Sequence, residues 1–133
     1  MKSNNWVTKA TLRSHLDSVR AVSWQNKYLI SAGEDSLLKI WEKDKLLLTV
    51  REHLAAVYSI CGNENILMTG GAEGVIRKWE TENFLHNEGP ETEGEFHEDC
   101  IWELNWNNKT QIVISSSADG TCKIIKVGSK DLN

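Results

Sequence analysis

The sequence predicts an all-β fold made of three copies of one unit, each about 40 residues long. Three observations predict it. A phrase recurs: SAGEDSLLKIWE at 31–42 returns as TGGAEGVIRKWE at 69–80 and, altered, as SSSADGTCKIIK at 115–126. A histidine keeps its distance from that phrase. His15, Asp35 and Trp41 are separated by 20 and six residues, as are His53, Glu73 and Trp79; His97, Asp119 and Ile125 are separated by 22 and six. Finally, strand-forming residues alternate with turn signals about every ten positions.

Each unit opens with a strand after its histidine. The aligned positions are Val19, Val22, Trp24; then Val57, Ile60, Gly62; then Ile101, Leu104, Trp106. A step of three followed by a step of two is not plain alternation, and it predicts a β-bulge that re-aims the later side chains. A second strand follows at Tyr28–Ser31, Ile66–Thr69 and Ile112–Ser115. The two extra residues of the third unit fall in the turn before this strand, NNKTQ against QNK, where insertions are tolerated. A turn of small and acidic residues leads to a third strand that ends at Trp41, Trp79 or Ile125. No helical period of useful length is present.

Composition narrows the function. The 133 residues suffice for one domain with a core; 40% are hydrophobic and 26% charged, as in ordinary soluble proteins. A net charge of −4 disfavours nucleic acid and anionic membrane, which need a basic face. Cys61, Cys100 and Cys122 are odd in number and have no CxxC spacing, which fits a reducing compartment. The N-terminus has no apolar leader, and the apolar run at Leu46–Leu48 is far too short to span a bilayer. A single cytoplasmic domain over 1–133 is expected, with no membrane insertion.

Catalytic readings are weak. Ser31, His15 and Asp35 are the residue types of a hydrolase triad. That set would then occur three times, without a strained GxSxG elbow. The cysteines with His53 and His97 have no zinc spacing. Gly62, Gly70, Gly71 and Gly74 form no phosphate-binding motif and fit turns. No enzyme activity, cofactor or metal is expected.

The repeat, with His, Ser or Thr, Asp and Trp in fixed order, resembles the WD-repeat (WD40) family of β-propellers. The resemblance spans most of the chain, with repeats at about 10–42, 46–80 and 94–127 and an acidic loop at 80–99. It implies one hydrogen-bonded set per blade, in which indole N–H, hydroxyl, imidazole and carboxylate satisfy one another. His15, Ser31, Asp35 and Trp41 are the complete set. His53, Thr69, Glu73 and Trp79 form the second, where the longer Glu73 is expected to distort the grip on His53. His97, Ser115 and Asp119 form the third, where Ile125 has no N–H to donate. The first blade is therefore expected to be the most rigid.

Wording around the first unit is more specific. Trp6, Lys9, TLRSH at 11–15, Asp17, Arg20 and Ala21 resemble the C-terminal WD-repeat region of striatins, as do the TGGAEGVIRKW and SSADGT stretches and a long connection after the second unit. The coiled coil and calmodulin-type helix of that family are absent from this sequence. The resemblance therefore implies only the propeller's part, a non-catalytic protein–protein interaction module in a phosphatase–kinase scaffold assembly; a generic WD-repeat adaptor is the alternative.

Position in the motif also implies a partner face. It comprises Ser18, Arg20 and Glu34; Ala56, Tyr58 and Ala72; and Cys100, Trp102 and Ala118. Arg20, Tyr58 and Trp102 are types that commonly dominate interface energy. Residues 80–99 hold eight acidic residues and no Lys or Arg, and are expected to be a flexible loop on the opposite face, either solvated or docking a basic partner.

Propeller blades have four strands. Leu46–Val50 is expected to complete the first blade and a stretch near Glu95-Phe96 the second. The third has no evident fourth strand, whereas Ala10–Arg13 is an outer strand without a blade. Propellers close with about four to eight blades. Two resolutions are open: a partial propeller belonging to a longer protein, or a half-propeller closed by homodimerisation through Ala10–Arg13.

Overall fold

A computed structural model describes residues 5–128. These residues form three antiparallel sheets, and the all-β expectation holds as an unclosed arc of three blades. The first blade is β1 (Val19–Gln25), β2 (Tyr28–Gly33), β3 (Leu38–Glu42) and β4 (Lys45–Val50), in that spatial order. The second is β5 (Val57–Gly62), β6 (Ile66–Gly71), β7 (Val75–Glu80) and β8 (Thr92–Glu95), with a short helix α1 (Thr81–Leu85) between its last two strands. The third is β9 (Ile101–Asn107), β10 (Ile112–Ser117) and β11 (Cys122–Lys126). β5 packs between β1 and β9, so the three opening strands line the inside of the arc. No helix among the described residues is long and apolar enough to cross a membrane.

The expected bulge is present in all three opening strands. Val19 pairs with Gly33 and Ala21 with Ala32, leaving Arg20 as the extra residue. Tyr58 is extra between Val57 and Ser59, and Trp102 between Ile101 and Glu103. The turn into the third strand needs a left-handed residue, supplied by Ser36 at φ 69°, Gly74 at 75° and Gly120 at 85°. A Cβ on Gly74 would lie 2.3 Å from the His97 carbonyl oxygen, so the second copy admits only glycine.

Alternation along each strand divides every sheet into two faces. Ile30, Ala32, Leu38, Ile40 and Val50 of the first blade pack against Val57, Leu67, Trp79 and Phe84. Met68 and Ile76, on the other face of the second blade, pack against Ile101, Leu104 and Val113. Polar bridges cross the same seams: Thr81 donates to the Gln25 side chain at 3.3 Å, and the Leu104 N–H donates to Ser59 at 2.9 Å.

Residues 80–99 correct an expectation. They are folded, not a flexible loop. Acidic composition marked the segment as solvated, but Phe84 is fully buried and meets Trp79 edge-on at 5.5 Å. Its continuation β8 pairs with β7, with Glu93 opposite Arg77 and Thr92 opposite Lys78. The cations of β7 thus offset the acidic run: Arg77 reaches Glu93 at 2.8 Å and Lys78 reaches Glu91 at 3.2 Å. The fourth strand expected near Glu95-Phe96 is this β8, which ends at Glu95. A second correction concerns Ala10–Arg13, which lies outside any strand in the single chain.

Candidate protein-interaction face

Each blade is tied by a polar set that runs from its opening loop to its second strand, and in the first two blades on to the third. In the first, His15 Nδ1 donates to Asp35 at 2.9 Å, the Ser31 hydroxyl donates to His15 Nε2 at 2.8 Å, and the Trp41 indole donates to Ser31 at 2.9 Å. Asp35 also accepts the Leu16 and Leu37 N–H groups at 3.0 and 3.2 Å. The carboxylate thereby fixes the histidine tautomer and two loop segments together.

The second set departs from expectation. Glu73 is not too long to hold His53, whose Nδ1 donates to it at 2.8 Å. The extra methylene is accommodated by Arg77, which grips both Glu73 oxygens at 2.8 and 3.1 Å. Thr69 donates to His53 Nε2 at 2.6 Å. The missing bond lies elsewhere: the Trp79 indole N–H is buried without a hydrogen-bond partner. The Trp79 ring instead packs edge-on against Phe84, 5.5 Å away.

In the third set His97 Nδ1 donates to Asp119 at 2.8 Å and Ser115 donates to His97 Nε2 at 2.7 Å. Ile125 contributes no donor and lines a groove of about 390 Å³ with Met68, Ile76, Phe96, Val113 and Val127. Thr121 adds a bond of 2.6 Å to Asp119.

The titrations follow from these contacts. Burial lowers the His53 imidazole to about 4; the Glu73 bond opposes this and the Arg77 charge reinforces it. Burial raises the Asp35 carboxyl, but the Leu16 N–H, His15 and the Leu37 N–H outweigh it and leave it below the usual range. Burial likewise opposes, and the Arg77 and His53 bonds dominate, at Glu73, which is also lowered. The Thr121 hydroxyl holds Asp119 low. Burial pushes the Cys61 thiol up to about 12 and also raises Cys100, with Asp99 contributing. Such thiols are poor nucleophiles. No group of three or more metal-ligating side chains occurs among the described residues.

These sets position one edge of the arc. In each blade the residue before the opening strand accepts a backbone bond from the residue before the carboxylate. The pairs are Glu34 N–H to Ser18 at 2.9 Å, Ala72 N–H to Ala56 at 2.9 Å, and Ala118 N–H to Cys100 at 3.1 Å. All nine predicted face residues are thereby gathered at the bulge ends of their blades. The bulged side chains join across blades. Arg20 donates to Glu34 at 2.5 Å and lies 5.5 Å from the Tyr58 ring centre; Tyr58 lies 5.3 Å from the Trp102 ring at 34°. Arg20, Tyr58 and Trp102 form a continuous ridge, with Arg20 exposed, Tyr58 half-buried and Trp102 52% exposed.

Three contributors were not singled out from the sequence: Arg77, Glu93 and Phe84. Arg77 had a signal, since Lys39, Arg77 and Lys123 occupy the same repeat position. Phe84 had none, because it lies within the acidic stretch outside the repeat.

The comparisons with known proteins agree with this geometry. Of curated proteins, "Protein HIRA" of Dictyostelium discoideum is 42% identical over 45 residues, a match covering 32% of this chain and 4% of that protein. Among solved structures, the WD40 β-propeller domain of Doa1 superposes with a TM-score of 0.73 at 26% identity, covering 90% of this chain and 41% of that one. The computationally designed Ika8 protein superposes with a TM-score of 0.72 at 22% identity, covering 87% and 35%. This chain therefore spans well under half of each. The family model described as "WD domain, G-beta repeat" matches residues 6–42, 44–80 and 91–126. With three matched repeats over most of its length, the chain belongs to the WD-repeat family.

Proposed function

We propose that this chain is a non-catalytic protein-docking module whose contact surface is the Arg20–Tyr58–Trp102 ridge. The observation that carries the proposal is the alignment of three bulged side chains, one per blade, into one ridge of contact-prone types. WD-repeat domains generally serve protein–protein interaction, and the polar sets are repeated structural ties, which speaks against a convergent catalytic cluster. Arg20 brings a charge with bidentate geometry, and the two rings bring large, stiff apolar area. Ser18, Glu34, Ala56, Ala72, Cys100 and Ala118 form the rim around them.

The finer reading is a striatin-like role in a cytoplasmic phosphatase–kinase assembly, supported by the sequence wording of the first unit. A generic adaptor role uses the same ridge. The folded acidic segment is a weaker docking candidate, because Glu93 of β8 and Glu91 just before it already pair with Arg77 and Lys78 of β7. Self-assembly through Ala10–Arg13 uses other residues and is independent of the ridge.

The test is affinity capture with tagged wild-type chain and with Arg20→Ala/Tyr58→Ala/Trp102→Ala, scored for phosphatase and kinase subunits. Capture by the wild type and loss in the folded triple variant is the expected result. Equal capture by both removes the ridge; capture through the ridge of partners that are neither phosphatase nor kinase subunits removes only the striatin-like part.

A further inference from the structure

We infer that the partner docking on the ridge presents a basic stretch of polypeptide, rich in Arg or Lys, to this edge of the arc; the inference rests on the ridge reading above. The first argument is the sign of the edge. It is built from the three loops that open the blades, 15–18, 53–56 and 97–100, and from the three turns between second and third strands, 34–37, 72–74 and 118–121. These six segments hold seven carboxylates and no Lys or Arg. The opposite edge differs, with Lys27, Lys43 and Lys109 in its turns. Asp35, Glu73 and Asp119 titrate below the usual carboxylate range, so the charge of the edge persists at neutral pH.

The second argument is which carboxylates are uncommitted. Asp35, Glu73 and Asp119 hold histidines, and Glu34 holds Arg20. Asp17, Glu98 and Asp99 are exposed and form no ion pair among the described residues. Asp17 and Asp99 stand at the same repeat position, two after the histidine, and each accepts the N–H of the next residue at 2.7 Å. That bond orients the carboxylate without neutralising it. A partner cation therefore meets acceptors already held in place, and forms charge-assisted hydrogen bonds with them.

The third argument is a contact the edge already makes once. Arg20 donates through Nε and Nη2 to Glu34 and lies 5.5 Å from the Tyr58 ring centre. A guanidinium is thus held between a ring of one blade and a carboxylate of another. Arg20 is the only cation of the ridge, and Glu34 offsets its charge. The third blade repeats the parts without the cation: Asp99 stands three residues before Trp102, and Trp is the ring that attracts a cation best. An Arg or Lys of the partner supplies what is missing. An acidic partner is repelled by this edge, and an apolar one buries carboxylates with no counter-charge.

Fluorescence anisotropy tests this with the full chain and a labelled peptide of alternating Arg and Gly, with a Glu–Gly peptide beside it. The wild type is expected to bind the Arg–Gly peptide and not the Glu–Gly one, and to release it as salt rises. Asp17→Asn/Glu98→Gln/Asp99→Asn keeps the side-chain shapes and the loop acceptors, and is expected to weaken binding roughly tenfold or more. Asp44→Asn/Glu64→Gln/Glu88→Gln removes as much charge from exposed positions elsewhere, and is expected to change binding by less than about twofold. Failure to bind the Arg–Gly peptide, or preference for the Glu–Gly peptide, overturns the inference. Equal weakening by the two variants also overturns it, since net charge alone would then attract the peptide. Affinity capture separates this inference from the ridge reading. A partner lost by Arg20→Ala/Tyr58→Ala/Trp102→Ala but held undiminished by Asp17→Asn/Glu98→Gln/Asp99→Asn overturns the basic partner and leaves the ridge standing. A partner held by both variants overturns the two together.

Discussion

The Arg20 guanidinium sits 5.5 Å from the centre of the Tyr58 ring, carrying a charge from the first blade onto an aromatic face of the second. Its other partner, Glu34, lies in its own blade. Both contacts are at the surface, where solvent and salt screen ion pairs and cation–π contacts and leave them weak. Arg20→Ala should therefore shift the urea midpoint little, while weakening a docked partner roughly tenfold or more. Chemical denaturation and a binding titration on the same preparation check this; a large loss of stability with unchanged binding contradicts it.

Trp41 and Trp79 hold the same repeat position but differ in one bond. The Trp41 indole donates to Ser31, whereas the Trp79 indole has no hydrogen-bond partner. Replacing each by Phe removes similar ring volume. Trp41→Phe also loses a hydrogen bond worth about 1 kcal/mol, and Trp79→Phe removes an unpaired buried donor. The first change should cost more than the second, measured as the difference in unfolding free energy. Equal costs would show that the two indoles are equivalent in solution.

Acid should weaken the fold in two stages. The His53 pKa falls from about 6.5 when unfolded to about 4 when folded. Above 6.5 the imidazole is neutral in both states and its contribution is fully present. As pH falls towards 4 the unfolded chain takes up the proton first, so stability is lost across that window. Below about 4.5 the lowered carboxyls of Asp35, Glu73 and Asp119 add a second loss in the same direction. Urea midpoints between pH 7.5 and 5 should decline for the wild type and decline less for His53→Gln. Identical slopes for the two proteins would refute the assignment.

Phe84 is the anchor of the acidic segment. Full burial against Trp79 makes Phe84→Ala a large-to-small change of about 3–5 kcal/mol. Such a loss should lower the thermal midpoint by more than any single substitution at Glu88 or Glu91. If residues 80–99 were a solvated insert, the substitution would be nearly silent.

The fold was largely legible because the repeat states the same physics three times. The bulge followed from the spacing of Val19, Val22 and Trp24, and the polar sets followed from residue types that satisfy one another. What lay outside the repeat was not legible. The acidic run from Glu80 to Asp99 concealed a buried aromatic, because composition averages over the one residue that anchors the segment. Glu73 was read as a lengthened aspartate on its own; only the fold brings Arg77 close enough to use the extra methylene. The ridge was legible as three separate positions, but their contact across blades required the packing of β5 between β1 and β9.

Docking on the ridge is tested most directly by amide hydrogen exchange of the chain with and without its captured partner. Slowed exchange at 18–21, 56–59 and 100–103, the three bulge segments, is the predicted result. Slowing confined to 80–95, with the bulges unchanged, would contradict it and move the contact to the acidic segment.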